Sequence, residues 1–193
     1  MMQRTERNVK ILTIPNLLSL FRICLIPLSV WLYCGKQDFS GAGWVILLSG
    51  VTDVADGYIA RRFNMVSDLG KVLDPIADKL TQTAMMLCLL TGFPLMIVPI
   101  LLMVGKELFM SATGFVILHR SREVPGASWH GKVATFLLYA MMLLHMFWHE
   151  IPPAVSAVSI AAGTVMMGNS FVMYAIRNIG MIRCGDSAKQ LQR

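Results

Sequence analysis

Long apolar stretches follow one another along this chain with only short polar breaks between them. Six can be marked, at about 14–34, 41–60, 76–92, 93–117, 133–149 and 153–176, each near the ~20 residues that cross roughly 30 Å of hydrocarbon. At that depth no water is available, so the backbone must satisfy its own amides and carbonyls, and the Pro and Gly punctuation within the stretches disfavours a barrel. Composition agrees: 55% of the 193 residues are hydrophobic and only 15% are charged, too little charge to coat a soluble domain of this size. The expected fold is all-α and integral to a membrane, with six transmembrane helices forming one domain over residues 1–180 and a short tail over 181–193.

Lys and Arg set the expected orientation. With the N-terminus inside, the cytoplasmic pieces hold Arg4, Arg7, Lys10, Arg61, Arg62, Lys71, Arg120, Arg122, Lys132, Arg177, Arg183, Lys189 and Arg193, and the outer loops hold only Lys36. This asymmetry places both termini in the cytoplasm. The net charge of +6 then faces anionic headgroups. No basic run interleaved with aromatics points to nucleic acid. The first stretch follows Arg4, Arg7 and Lys10 but is too long for a signal-peptide core, and no small-residue cleavage site follows it. Cys24, Cys34, Cys88 and Cys184 form no CxxC pair and read as small apolar residues.

Some charges fall where lipid should be. The spans or their ends keep Arg22, Asp53, Asp56, Asp74, Asp78, Lys79, Lys106 and Glu107, and ionisable groups at such depth mark functional sites by default. Asp53, Asp56 and Ala60 share one face of a helix by their i, i+3, i+7 spacing, and Asp74 and Asp78 share a face of the next. A loop from Arg61 to about Leu73 turns the chain between them. The two pairs can therefore meet in a polar cavity open to the cytoplasm. Four converging carboxylates repel one another unless a cation intervenes. Mg²⁺ or Mn²⁺ suits an all-oxygen set shared with phosphates, and four carboxylates suffice to bridge two ions. His and Cys are absent from the cluster, which disfavours structural zinc. Gly57 and Ala60 leave the helix face open beside the acids, Gly70 suits a turn, and Arg61 can offer a diphosphate a forked donor.

Read in order, the residues spell Asp53-x-x-Asp56-Gly57-x-x-Ala60-Arg61, eight residues, then Gly70-x-x-x-Asp74-x-x-x-Asp78. This resembles the signature of the CDP-alcohol phosphatidyltransferases at all eight defining positions. The six-span plan with cytoplasmic termini is also that family's. The stretches "TIPNLLSLFRICLIPL" and "ASWHGKVAT" further resemble the family's bacterial phosphatidylglycerophosphate synthases, so the likeness covers nearly residues 13–178 and implies a multi-pass protein of the bacterial inner membrane.

The resemblance implies transfer of a phosphatidyl group from CDP-diacylglycerol to an alcohol, with release of CMP. It implies that Asp53, Asp56 and Asp74 hold the metal ions, that Asp78 completes the site and acts as general base, and that Asp56, Gly57, Ala60, Arg61 and Gly70 contact the CDP-lipid. Spacing alone leaves the choice of base open. For the synthases the acceptor is sn-glycerol 3-phosphate, and Lys106, Arg120, Lys132 and Arg177 are the cations expected to bind it. Two departures bear on that acceptor: Lys106 stands where such synthases usually carry Arg, and Ala134 replaces the second lysine of their "GKxKT" pattern. Within the family, phosphatidylglycerol (cardiolipin synthesis) or an inositol phosphate are the alternative acceptors. Outside it, a cation transporter would leave Gly57, Ala60 and Arg61 unexplained, and an intramembrane prenyltransferase would carry two separate aspartate motifs. Relatives are commonly homodimers, and the small residues in the spans permit one here.

Overall fold

The computed structural model describes residues 14–62, 70–121 and 129–190; within its helices, the side chains of 14–15, 56–61, 71–72, 118–121 and 183–190 lie outside the description. Six α-helices occur among the described residues: α1 (Ile14–Val30), α2 (Phe39–Arg62), α3 (Gly70–Leu90), α4 (Ile97–Ser121), α5 (Trp129–Phe147) and α6 (Pro153–Gln190). A π-helical turn (Trp31–Gly35) continues α1, and a 3₁₀ turn (Pro94–Met96) leads into α4. No strand occurs among the described residues. Each expected apolar stretch falls on one helix. The tail expected from residue 181 is helical as far as Gln190, and the 38 residues of α6 amount to ~57 Å of helix, well beyond hydrocarbon thickness.

Among the described residues, four segments are long and apolar enough to cross a membrane: Asn16–Gly35, Pro94–Ile117, Trp129–Phe147 and Pro153–Ile182. In α2 the side chains described as far as Ala55 form an apolar stretch, Phe39–Ala55. The described part of α3 carries Asp74, Asp78 and Lys79 in its first turns, which lowers its hydropathy below that of the four. The apolar surface is turned outward as lipid requires. Leu17, Leu20, Val54, Leu80, Leu101, Phe115, Phe136, Val158 and Val165 are exposed, whereas a soluble bundle of this composition would have to hide them.

The chain divides into two compact units. The first runs to Leu89 and takes in Met146–His149. Here α1 packs on α2. The loop between them is set by Gln37 in the left-handed region (φ 55°) and by Asp38, which caps α2 by accepting from the Gly41 amide at 2.8 Å. Between α1 and α3, Ser19 meets Asp74, Ser29 meets Met85 and Cys34 lies 3.6 Å from Cys88. The partner number rises with the residue number along all three contacts, so α1 and α3 run parallel. The buried side of α3 reads Ala77, Thr81, Met85, Cys88, a stripe at helical spacing. Exposed Trp31, Trp44 and Trp148 lie at the end of this unit where α1 hands over to α2, with the Lys36 ammonium 4.4 Å above the Trp31 ring. Trp and Lys at the ends of apolar helices suit a membrane–water interface.

The second unit holds Leu90–His145 and the chain from Glu150 onward. Its α6 buries Ser156, Ile160, Gly163, Met167, Ser170, Tyr174 and Asn178, one residue every three or four, and packs this side against α4. Polar contacts fix the register. His145, wholly buried, pairs its Nδ1 with the Met141 carbonyl at 2.8 Å and its Nε2 with Ser156 Oγ at 2.9 Å. Asn178 donates to Thr113 Oγ1 at 2.8 Å, and Phe109 meets Phe171 edge to face with centroids 5.3 Å apart. Such interhelical bonds contribute about 1 kcal/mol each in a membrane. Thr113→Val should therefore lower the unfolding free energy of the detergent-solubilised protein by about 1 kcal/mol, read from denaturant titration followed by tryptophan fluorescence.

Candidate active site

The first unit gathers the carboxylates. Asp53 lies near the C-terminal end of α2, and Asp74 and Asp78 lie in the first turns of α3, on either side of Pro75. Proline has no amide and removes one rung of the helical ladder beside them. Asp74 and Asp78 are both electrostatic neighbours of Asp53, so the structure brings together three of the four aspartates picked from the sequence. The fourth, Asp56, sits on α2 one turn beyond Asp53, but its side chain is outside the described ones, as are those of Ala60 and Arg61. Gly57 is in the same stretch of α2, and Gly70 opens α3 and is buried.

Three buried donors surround these acids. Arg22 of α1, 2% exposed, sets its Nη1 2.6 Å from Asp53 Oδ1. Ser19, three residues earlier on α1 and fully buried, donates to Asp74 Oδ1. Gln82, one turn after Asp78 and 1% exposed, donates to Asp78 Oδ2 at 3.3 Å. Arg22 stands out in the sequence as a charge inside a span. Ser19 and Gln82 carry no such signal, although their spacing offers one: Ser19 is i−3 from Arg22 and Gln82 is i+4 from Asp78, so each shares a face with a residue already singled out. Among the described residues no three carboxylates, thiols or imidazoles stand close enough to hold a metal ion. The donor chemistry nonetheless fits a hard divalent cation, since every acid in the cluster offers oxygen and no described His or Cys intrudes.

The candidate acceptor cations belong to the second unit. Lys106 lies on the packed stripe of α4 with Ile100, Met103 and Ile117, 8% exposed, and its Nζ is 3.9 Å from Glu107 Oε1. Lys132 is exposed in the first turn of α5. Arg177 of α6 stacks on Tyr174, its guanidinium carbon 4.9 Å from the ring centroid. Arg120 is on α4 with its side chain outside the described ones. Ala134, at the position of the missing second lysine, is buried at the foot of α5.

A family model described as CDP-alcohol phosphatidyltransferase matches residues 12–175. The chain belongs to the CDP-alcohol phosphatidyltransferase family. It is similar to a cardiolipin synthase (CMP-forming) of Streptomyces coelicolor, at 32% identity over 93% of this chain and 88% of the relative. It is equally similar to a protein of Mycobacterium tuberculosis strain H37Rv named "Probable phosphatidylglycerophosphate synthase", at 32% identity over 91% and 88%. A CDP-diacylglycerol–glycerol-3-phosphate 3-phosphatidyltransferase of Rickettsia bellii matches at 33% identity over 68% of this chain and 74% of its own. The matched range takes in all four aspartates.

One glycine in the second unit ties packing to the candidate cations. A Cβ on Gly131 would come within 3.0 and 3.1 Å of two Tyr174 ring carbons, and that ring carries the Arg177 guanidinium. Gly131→Ala should displace the ring and cost about 1–3 kcal/mol of stability, visible as a lowered thermal midpoint in detergent, whereas Gly180→Ala on the same helix as Tyr174, where a Cβ meets nothing within 4 Å, should leave it in place.

Proposed function

We propose that this protein transfers the phosphatidyl group of CDP-diacylglycerol to a hydroxyl of sn-glycerol 3-phosphate, giving phosphatidylglycerophosphate and CMP in phospholipid biosynthesis. The observation that carries the reading is the meeting of Asp53, Asp74 and Asp78 around Arg22 and Ser19 in a chain whose family transfers groups from CDP-alcohols. The protein crosses the bacterial inner membrane six times with both termini in the cytoplasm; α2 and α3 are the two further spans, their ends opened by the charges of the site. Small residues on the spans allow a homodimer.

In this reading Asp53, Asp56, Asp74 and Asp78 hold two Mg²⁺ or Mn²⁺ ions, which supply electrophilic stabilisation of the diphosphate's developing charge. Asp78 takes the proton of the attacking hydroxyl, a role worth 10²–10⁴-fold in typical general-base catalysis. Asp56, Gly57, Ala60, Arg61 and Gly70 receive the CDP part, the small residues by leaving room and Arg61 by its planar fork. Lys106, Arg120, Lys132 and Arg177 meet the acceptor's phosphate.

A second reading has a specific observation behind it. The relative named cardiolipin synthase matches as well as the one named probable phosphatidylglycerophosphate synthase, and Ala134 and Lys106 both depart from the cation set that a phosphorylated acceptor wants. In that reading the acceptor is phosphatidylglycerol. The two separate in one assay. Purified protein in mixed micelles with CDP-diacylglycerol and Mg²⁺ or Mn²⁺ is offered glycerol 3-phosphate, phosphatidylglycerol and inositol phosphate in turn, and CMP release is followed. Glycerol 3-phosphate should give the largest kcat/KM, chelation should abolish turnover, and Asp74→Asn should lower kcat by about 10²-fold or more. Turnover on phosphatidylglycerol alone would overturn the acceptor, and wild-type turnover by Asp74→Asn would overturn the site.

A further inference from the structure

Each described aspartate of the site is held at one oxygen by a different buried side chain, and two of those side chains come from a helix that carries none of the acids. Ser19 and Arg22 stand one turn apart on α1. They reach separate helices, Ser19 to Asp74 Oδ1 on α3 and Arg22 to Asp53 Oδ1 on α2. Gln82 reaches back along α3 to Asp78 Oδ2. All three donors are at most 2% exposed, and burying a guanidinium, a hydroxyl and an amide in a membrane protein is unfavourable unless each meets a defined partner.

We propose that Ser19, Arg22 and Gln82 are positioning residues that orient the aspartates for divalent cations, with α1 acting as a bracket across the two acid-bearing helices. A carboxylate fixed through one oxygen keeps its plane and presents the other in a set direction. Carboxylate ligands are commonly held in this way, and loss of such a partner typically costs 10–100-fold in metal affinity. Arg22 does a second job. Its charge offsets part of the mutual repulsion among the acids, so the helices pack before any cation is bound. Ser19 and Gln82 are neutral and orient without changing the charge. The proposal therefore gives the three residues distinguishable effects: Ser19 and Gln82 act on cation binding with little effect on assembly, while Arg22 acts on both.

The proposal rests on the reading of the aspartates as a cation site, and its test separates the two. The full chain in detergent is titrated with Mn²⁺ alone, bound ion being read by electron paramagnetic resonance, with the thermal midpoint measured in parallel. Wild type should bind Mn²⁺. Ser19→Ala and Gln82→Met should weaken binding by about 10–100-fold with a thermal midpoint close to wild type, and Ser19→Thr, which keeps the hydroxyl, should recover most of the affinity. Arg22→Met should lower the thermal midpoint as well as the affinity. Thr113→Val, a polar contact of the second unit, should keep wild-type affinity although it lowers stability. In turnover, the concentration of Mn²⁺ giving half-maximal rate should rise for Ser19→Ala and Gln82→Met, with kcat at saturating Mn²⁺ within a few fold of wild type. Wild-type Mn²⁺ affinity in both neutral variants would overturn the positioning role. Absence of Mn²⁺ binding by wild type would overturn the cation site itself.

Discussion

A buried guanidinium decides how the first three helices can be arranged. Removing Arg22 from water costs several kcal/mol even after the surroundings relax, so α1 can adopt its register only where a carboxylate comes to meet the charge. Asp53 does so at 2.6 Å. Once that pair is made, Ser19 falls one turn away on the same face and meets Asp74. Farther along, Ser29 on Met85 and Cys34 beside Cys88 continue nearly the same offset between α1 and α3. Polar contact at one end and van der Waals packing at the other thus define a single sliding position for the helices.

That dependence follows from the solvent. In lipid the outer surface of a helix gains nothing by turning inward, because hydrocarbon outside is as apolar as Leu inside. The exposed Leu, Val and Phe of this chain are therefore at rest, and specificity falls to small residues and to polar side chains that cannot remain in lipid. The first unit uses a charge pair for this, and the second uses His145 with Ser156 and Asn178 with Thr113. Asp53 is tolerated in the first unit for the same physical reason that the unit needs it: it is what the buried Arg22 packs against.

Helix positions and the aspartate cluster were legible in the sequence because both are periodic signals. An apolar stretch of bilayer length and an i, i+3 or i+4 pair of acids each imply geometry without knowledge of the neighbouring helix. The residues that hold the acids were harder to read. Ser19 and Gln82 look like ordinary polar residues until α1 is laid beside α3, since their role exists only in the tertiary register. Cys34 and Cys88, read as separate small apolar residues, meet across that register too. Hydropathy also works against itself here. In α3 the charges that drew attention in the sequence, Asp74, Asp78 and Lys79, are also those that lower its hydropathy.

The acceptor differs in kind from the rest of the problem. Identity of 32% is shared with relatives bearing two different names, so overall similarity carries the phosphatidyl donor chemistry and leaves the acceptor to a few side chains. The candidates for that role, Lys106, Lys132 and Arg177, all belong to the second unit, whereas the described aspartates belong to the first. Their settings are unequal. Lys132 is exposed, Lys106 is packed into the stripe of α4 beside Glu107, and Ala134 is closed off by its neighbours. A lysine at 134 would have to extend out of a buried position, displacing the packing around the foot of α5, so this unit cannot acquire the second lysine of the "GKxKT" pattern by a single substitution without local rearrangement. In the proposed reading the acceptor's phosphate therefore meets the cations this unit already carries, two of which, Lys106 and Arg177, are set against Glu107 and Tyr174.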